Sequence, residues 1–355
     1  MVIDSRFWQN RKVFLTGHTG FKGSWLVLWL YALGAQVYGY ALQPPTQPSL
    51  YEACSIRGLL VDEIEGDVRD LHLLTSTIQS IQPEIVFHLA AQPLVRNSYK
   101  DPVETYEVNV LGSVNILEAV RASSAVRVFI NVTTDKCYEN HEWCYPYRES
   151  DPMGGHDPYS ASKACAEILT RSYRSSFFSS DHKVAIATAR AGNVIGGGDW
   201  AEARLLPDCI RALMAKKPIY LRYPQSIRPW QHVLEPLAGY LLLAQKAFID
   251  KAFANSWNFG PDADSEATVA MVAQQVIDCW GKGELCMDSS SVHPHEAGIL
   301  RLDTTKARTI LNWRSCWSLE ETIEKTVNWY YSWQSEKDMR QYSLQQIFAY
   351  QAVCR

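Results

Sequence analysis

No Cys-X-X-Cys pair occurs among the nine cysteines. With an odd total and no ligand spacing, the pattern predicts reduced thiols, and neither a disulfide framework nor a zinc site. Long apolar runs are missing too: nothing approaches the roughly 18 residues of a membrane-spanning helix. The opening "MVIDSRFWQNRK" lacks the uninterrupted apolar core of a signal segment. Basic charge is not in excess, since 34 Lys and Arg face 38 Asp and Glu for a net charge of −4. The basic residues are also dispersed, which excludes a broad nucleic-acid or membrane-binding surface. Repeats, low-complexity tracts and obvious linkers are likewise lacking, and the expected setting is the cytoplasm.

What is present suits a large folded core. The 355 residues are 47% hydrophobic and 12% aromatic, enough for about two domains. In "VFLTGHTGFKGSWLVLWL", Val13 to Leu15 read as a buried strand and Ser24 to Leu33 as a helix covering a sheet. Gly17, Gly20 and Gly23 between them let a chain bend and a pyrophosphate approach the main chain, although a plain strand-to-helix turn would also use them. Strand and helix then alternate through "AQVYGYAL", "DLHLLTSTIQSI", "EIVFHLAA", "NVLGSVNILEAVRAS" and "VRVFINVTT". This rhythm predicts an α/β fold, a doubly wound parallel sheet of Rossmann type, with ligands outside the carboxyl ends of its strands. Polar groups gather at those ends: Asp67, His88, Gln92, Thr133, Thr134 and Asp135. Beyond Arg190 the rhythm loosens. Residues 1–190 are therefore read as a dinucleotide-binding domain and 191–355 as mainly a smaller substrate-binding region, with some segments returning to the first.

"DPYSASKACAE" sets Tyr159 and Lys163 four residues apart, on one face of a helix. A lysine ammonium beside a phenol favours phenolate and would lower the tyrosine pKa toward neutrality. Such a tyrosine can take the proton of a sugar hydroxyl as hydride leaves the same carbon, and Lys163 can hold ribose hydroxyls. An ordinary amphipathic helix would explain the pair equally well in isolation.

The ordered pieces "TGHTGFKG", "EGDVRD", "FHLAAQ", "VNVLGSVNILEA", "TTDKCY", "YSASKACAE" and "RAGNVIGGGD" resemble the extended short-chain dehydrogenase/reductases, the nucleotide-sugar epimerases and dehydratases. The resemblance implies NAD as cofactor, bound through Gly17, His18, Gly20, Phe21, Lys22 and Gly23. It further implies that Asp67 and Val68 hold the adenine and that Leu89, Ala90, Ala91 and Thr133 line the cofactor. Thr134 takes the family's Ser/Thr position beside Tyr159, and Asn109 is mainly structural. Within the family an acidic and a second ionisable residue after the Thr pair mark 4,6-dehydratases. Here they are Asp135 and Lys136, which with "RPWQHVLEP" and "HPHEAGILRLD" resembles the branch acting on CDP-glucose. Arg204 and Arg228 suit the substrate pyrophosphate, with Asn193, His295 and Glu296 as further substrate contacts. The family also suggests a homodimer through a four-helix contact. A 4-epimerase would leave Asp135 and Lys136 idle, and a non-catalytic dinucleotide sensor would have no use for Tyr159 with Lys163. One family feature is missing. "VYGYALQPP" ends the second strand without the acid that grips the adenosine ribose, so His18 is expected to be able to attract a 2′-phosphate, while Lys22 suits the pyrophosphate.

Overall fold

The computed structural model describes residues 3–179, 182–262, 265–287 and 298–354. Numbering only the main-sheet strands, β1 is Lys12–Thr16, β2 Gln36–Ala41, β3 Asp62–Glu65, β4 Ile85–His88, β5 Val128–Val132, β6 Ala185–Arg190 and β7 Ser256–Asn258. They form one sheet in the order β7-β6-β5-β4-β1-β2-β3, and every pairing is parallel. β4, β5 and β6 are buried at every position, as strands covered on both faces must be, which is why they are mostly apolar. Side chains alternate between faces. Val13, Leu15, Phe87 and Ile130 enter one core, and Phe14, Val86, Phe129 and Ile186 enter the other.

Of the principal helices, α1 is Phe21–Ala32, α2 Leu71–Ile81, α3 Gly112–Arg121, α4 Pro158–Ser176, α5 Leu205–Met214, α6 Leu234–Ile249, α7 Leu319–Gln334 and α8 Met339–Val353. α1 begins three residues before the expected Ser24, because Gly20 serves as its N-cap. Lys22 therefore sits in the first helical turn. Every residue from Gly23 to Leu30 is buried: one side of α1 faces the sheet and the other meets α8, where Trp29 and Tyr350 stack edge to face at 5.6 Å. Beyond residue 190, β7 returns to the sheet beside β6. Short pairs organise the remainder: Val194–Ile195 with Gln231–His232, Ile227–Pro229 with Glu266–Thr268, and Ile219–Leu221 with Leu285–Met287.

The expectation of reduced thiols throughout is corrected at one pair. Cys316 and Cys354 are joined, with Cα atoms 5.8 Å apart, while the other seven cysteines are free. Tertiary packing brings the pair together across 38 residues, so spacing carried no sign of it. Cys354 follows the end of α8, and the Cys316 segment is fixed by Glu235 in α6, whose carboxylate accepts the amides of Cys316 at 3.0 Å and Trp317 at 2.8 Å. Tyr350 donates its hydroxyl to the same carboxylate at 2.5 Å.

Burial pushes the Glu235 carboxyl up to about 7 despite those hydrogen bonds. The folded chain thus keeps a proton that the unfolded chain releases near the ordinary glutamate value of 4.5. Its stabilising contribution is complete below that value and is lost as pH rises through about 7, on the order of 3 kcal/mol across the window. Thermal unfolding of wild type and Glu235→Gln should reveal this: the variant is expected to lose less stability than wild type between about pH 5 and pH 8.

Candidate active site

The carboxyl ends of β1, β3, β4, β5 and β6 open on one cleft of about 2120 Å³, where the strand order reverses between β1 and β4. At its floor Gly17 adopts φ +76°, and a Cβ there would lie 2.7 Å from the Ala90 nitrogen. A Cβ on Gly23 would overlap the Gly17 carbonyl oxygen. Both glycines are required by close backbone approach. Gly17, Gly20, Phe21, Lys22 and Gly23 line the cleft. So do Asp67, Val68, Leu89, Ala90 and Ala91. Asp67 also grips Arg69, whose guanidinium approaches to 2.6 Å.

His18 does not line the cleft, and its expected pull on a 2′-phosphate is corrected. Its ring is fully buried under the turn, against Gly39, with Nε2 2.5 Å from Glu63 Oε1. Desolvation holds its pKa below the ordinary histidine value. The side chain is a neutral packing group facing β3. Only the alternation of side chains along the turn distinguishes this from a ligand contact, and glycines obscure that alternation.

Where β5 ends, Thr134 caps a short turn at Asp135–Cys137. Its hydroxyl donates to Asp135 Oδ1 at 2.9 Å and accepts the Lys136 amide at 3.4 Å. Asp135 is fully buried, and its second oxygen accepts from Asn193 Nδ2 at 3.1 Å. A Cβ on Gly192 would overlap that carboxylate. Lys136 is half-buried and lines the same cleft. α4 enters from the side: Asp157 caps it by accepting from the Ser160 amide at 2.9 Å, and Pro158 occupies its first turn. Tyr159 and Lys163 follow on the inward face, both buried.

Tyr159 is a third correction. Burial drives its phenol up to about 12; a hydrogen bond with Thr134 and the charge of Arg204 oppose this without overcoming it. Lys163 is not what counters burial here, because its Nζ faces the Val132 carbonyl at 3.4 Å. Burial brings Lys163 itself down to about 8, with Glu167 holding it up. Lys22 is also lowered to about 8, by burial and then by Arg204; Asp135 opposes the shift and Lys163 adds to it.

Arg204 precedes α5 and pairs with Asp199 at 2.9 Å. Arg228, buried, donates to the carbonyls of Ile227 and Gly298 at 2.9 and 3.0 Å. Both face the cleft with Asn193. His295 and Glu296 lie outside the described residues. Asn109 is buried beside the cleft, bridging both backbone groups of Gln92 and the Ser162 hydroxyl. No group of His, Cys, Asp and Glu among the described residues is arranged to hold a metal ion, and no described helix is long and apolar enough to cross a membrane.

Sequence reasoning missed Asp199, Glu167 and Arg190. The first lay in the "GGGDW" stretch, and Glu167 stood one helical turn beyond Lys163, the spacing that had already singled out Tyr159.

The sequence profile described as GDP-mannose 4,6 dehydratase matches residues 14–326. The chain belongs to the GDP-mannose 4,6 dehydratase family. Within or near this family, a CDP-glucose 4,6-dehydratase of Salmonella typhimurium is 48% identical over 357 residues, covering 99% of both chains. Two solved structures share the fold. A dTDP-glucose 4,6-dehydratase from Streptomyces venezuelae with NAD and TYD bound has TM-score 0.80 at 20% identity, covering 93% of this chain and 99% of its own. A UDP-glucose 4-epimerase from Thermotoga maritima with UDP-glucose has TM-score 0.78 at 21% identity, covering 91% and 99%.

The electrostatics of the dehydratase cleft can be read directly. In ultraviolet difference titration against Tyr159→Phe, the Tyr159 phenol of the ligand-free protein should ionise near pH 12. Arg204→Met should move it higher still, because the guanidinium favours phenolate.

Proposed function

We propose that this protein is a CDP-glucose 4,6-dehydratase, converting CDP-glucose to CDP-4-keto-6-deoxyglucose and water with NAD as a cofactor regenerated in each cycle. The observation that carries the reading is that Tyr159, Asp135 and Lys136 meet in one cleft in a chain 48% identical, end to end, to a CDP-glucose 4,6-dehydratase. An epimerase would need Tyr159 but would leave Asp135 and Lys136 without a task.

The cleft fits NAD. Gly20 caps α1 without any side-chain hydrogen bond, and a Cβ on it would meet only Gly17 O, at 3.4 Å. The first amides of α1 are therefore open to an anion, as a pyrophosphate requires. Lys22, partly buried in that first turn, supplies a cation. Asp67 and Val68 would hold the adenine, and Leu89, Ala90, Ala91 and Thr133 the middle of the cofactor. Lys163 would hold the nicotinamide ribose. When bound, NAD accepts a hydride from the sugar and returns it.

In the mechanism we infer, Tyr159, hydrogen-bonded to Thr134, takes the proton of the C4 hydroxyl as that carbon is oxidised. The phenolate this requires, disfavoured by burial, is helped by Thr134 and Arg204. The resulting 4-ketone acidifies C5. Lys136, acting as the free amine, removes the C5 proton while Asp135, acting as the carboxylic acid, protonates the departing C6 hydroxyl, which leaves as water. Lys136 returns its proton to C5 as C6 regains hydride, and the proton taken by Tyr159 passes through Thr134 to recharge Asp135. Asn193 steadies Asp135, and Arg204 and Arg228 would hold the substrate pyrophosphate as guanidinium forks. His295 and Glu296 remain proposed sugar-nucleotide contacts.

In this division of labour residues 1–190 carry the cofactor and 191–355 mainly the sugar nucleotide. We further place the enzyme in the cytoplasm as a homodimer; exposed Val103, Leu111 and Ile168 support an apolar contact between copies.

Incubation with CDP-, dTDP-, UDP- and GDP-glucose, followed by mass spectrometry, tests the assignment. Efficient loss of water from CDP-glucose alone is expected. Equal turnover of dTDP-glucose would remove the base specificity, and conversion to CDP-galactose without water loss would replace the reaction. Asp135→Asn and Lys136→Ala should slow elimination more than oxidation, so that NADH accumulates, whereas Tyr159→Phe should suppress oxidation itself. In calorimetric titration Lys22→Ile should lose about 1.5–3 kcal/mol of NAD binding, one charge-assisted contact; unchanged affinity would remove Lys22 from the pyrophosphate site.

A further inference from the structure

Behind the catalytic face of α4 lies a buried polar cluster that the reaction does not touch. Glu167 stands four residues after Lys163 on the same helix and is buried. One carboxylate oxygen accepts from Thr133 Oγ1 at 2.5 Å. The other accepts from Thr188 Oγ1 at 2.7 Å and pairs with Arg190 Nη2 at 2.7 Å. Arg190 reaches on to the Tyr138 hydroxyl at 2.6 Å, and Tyr138 donates to Asn258 at 2.7 Å. The cluster thus joins α4 to β5, β6 and β7, and reaches the active site through Thr133, the neighbour of Thr134.

We propose that Glu167 is a positioning residue for the dehydratase reaction: it keeps the buried Lys163 protonated and, through Thr133, fixes the end of β5 that carries Thr134 and Asp135. This rests on the CDP-glucose reading above and extends it to a residue outside the cleft. A structural ion pair alone would need only Arg190. Glu167 binds through both oxygens to the two strands flanking the active site and stands one helical turn after Lys163.

The charges around Lys163 favour this assignment. From its own helix it faces Glu167 and Tyr159, from α1 Lys22, from β4 His88, and from the turn after β5 Cys137. Lys22 is cationic and repels it, and His88, pushed down to about 3 by burial, is neutral. Cys137, its thiol raised by burial, is also neutral near pH 7. Among these, Glu167 is the anion that offsets the cost of burying the ammonium. Glu167 in turn faces Arg190 on β6 and Arg174 on α4, and the direct pairing with Arg190 keeps its carboxylate ionised.

The test follows kcat/KM for CDP-glucose dehydration, and calorimetric NAD affinity, across pH. In wild type both should fall as pH rises through about 8, where Lys163 and Lys22 both lose their protons, so the comparison is repeated in a Lys22→Ile background that leaves Lys163 as the titrating cation. Glu167→Gln removes the negative charge, so the ammonium deprotonates earlier and both limbs should move about one unit toward acid. Glu167→Asp should restore much of the wild-type position. Because Glu167→Gln leaves Arg190 as an unpaired buried charge, the double variant Glu167→Gln/Arg190→Met is measured beside it and should keep the acid-shifted limb while regaining thermal stability. A uniform loss of activity with the limbs unmoved, in either variant, overturns the proposal and leaves Glu167 structural. Failure of wild type to dehydrate CDP-glucose would instead overturn the functional reading, and the NAD-binding limb would still decide the role of Glu167.

Discussion

Removing charged groups from water at the carboxyl end of the sheet is the constraint to which the rest of this structure answers. Tyr159, Lys163 and Lys22 each have burial as the largest influence on their protonation. Neutral phenol is favoured, and both ammonium groups are weakened. Each nearby charge then acts as compensation. Arg204 and Thr134 favour the phenolate, Glu167 favours the Lys163 ammonium, and Asp135 favours that of Lys22. Arg204 and Lys163 both repel the Lys22 ammonium, so the proposed pyrophosphate would add an anion where the cations are in excess.

This view gives the glycine turn its energetic meaning. Gly17 and Gly23 let β1, α1 and the Leu89–Ala90 backbone pack closely enough to bring the amides of α1 to the cleft floor. A larger residue at either position would separate those amides from the cations placed to act with them. The same closeness buries His18, whose ring fills the space over Gly39, so that of the turn's two basic side chains Lys22 is the one that lines the cleft.

Much of this was legible in the sequence because parallel strands buried on both faces appear as mostly apolar runs, and their polar ends mark the cleft. Asp67, Thr134, Asp135 and Tyr159 stood at such ends or in spaced motifs, and all line it. What escaped notice depends on tertiary direction. The inward turn of His18 follows from packing against β3, and Cys316 meets Cys354 only because α8 docks on α1 and α6. The high phenol pKa of Tyr159 follows from burial outweighing its neighbours. Spacing placed Lys163 beside Tyr159 but could not disclose that its ammonium points at the Val132 carbonyl.

The central claim is that one cleft oxidises C4 and reduces C6 of the same sugar, with Asp135 and Lys136 acting in between. The most direct measurement uses CDP-glucose deuterated at C4, mixed with unlabelled substrate and excess unlabelled NADH, with the product analysed by mass spectrometry and NMR. The account predicts that the deuterium appears at C6 of the labelled molecules, with one molecule of water lost. Deuterium passing into the NADH pool, or remaining at C4 of an epimerised sugar that has lost no water, would contradict it.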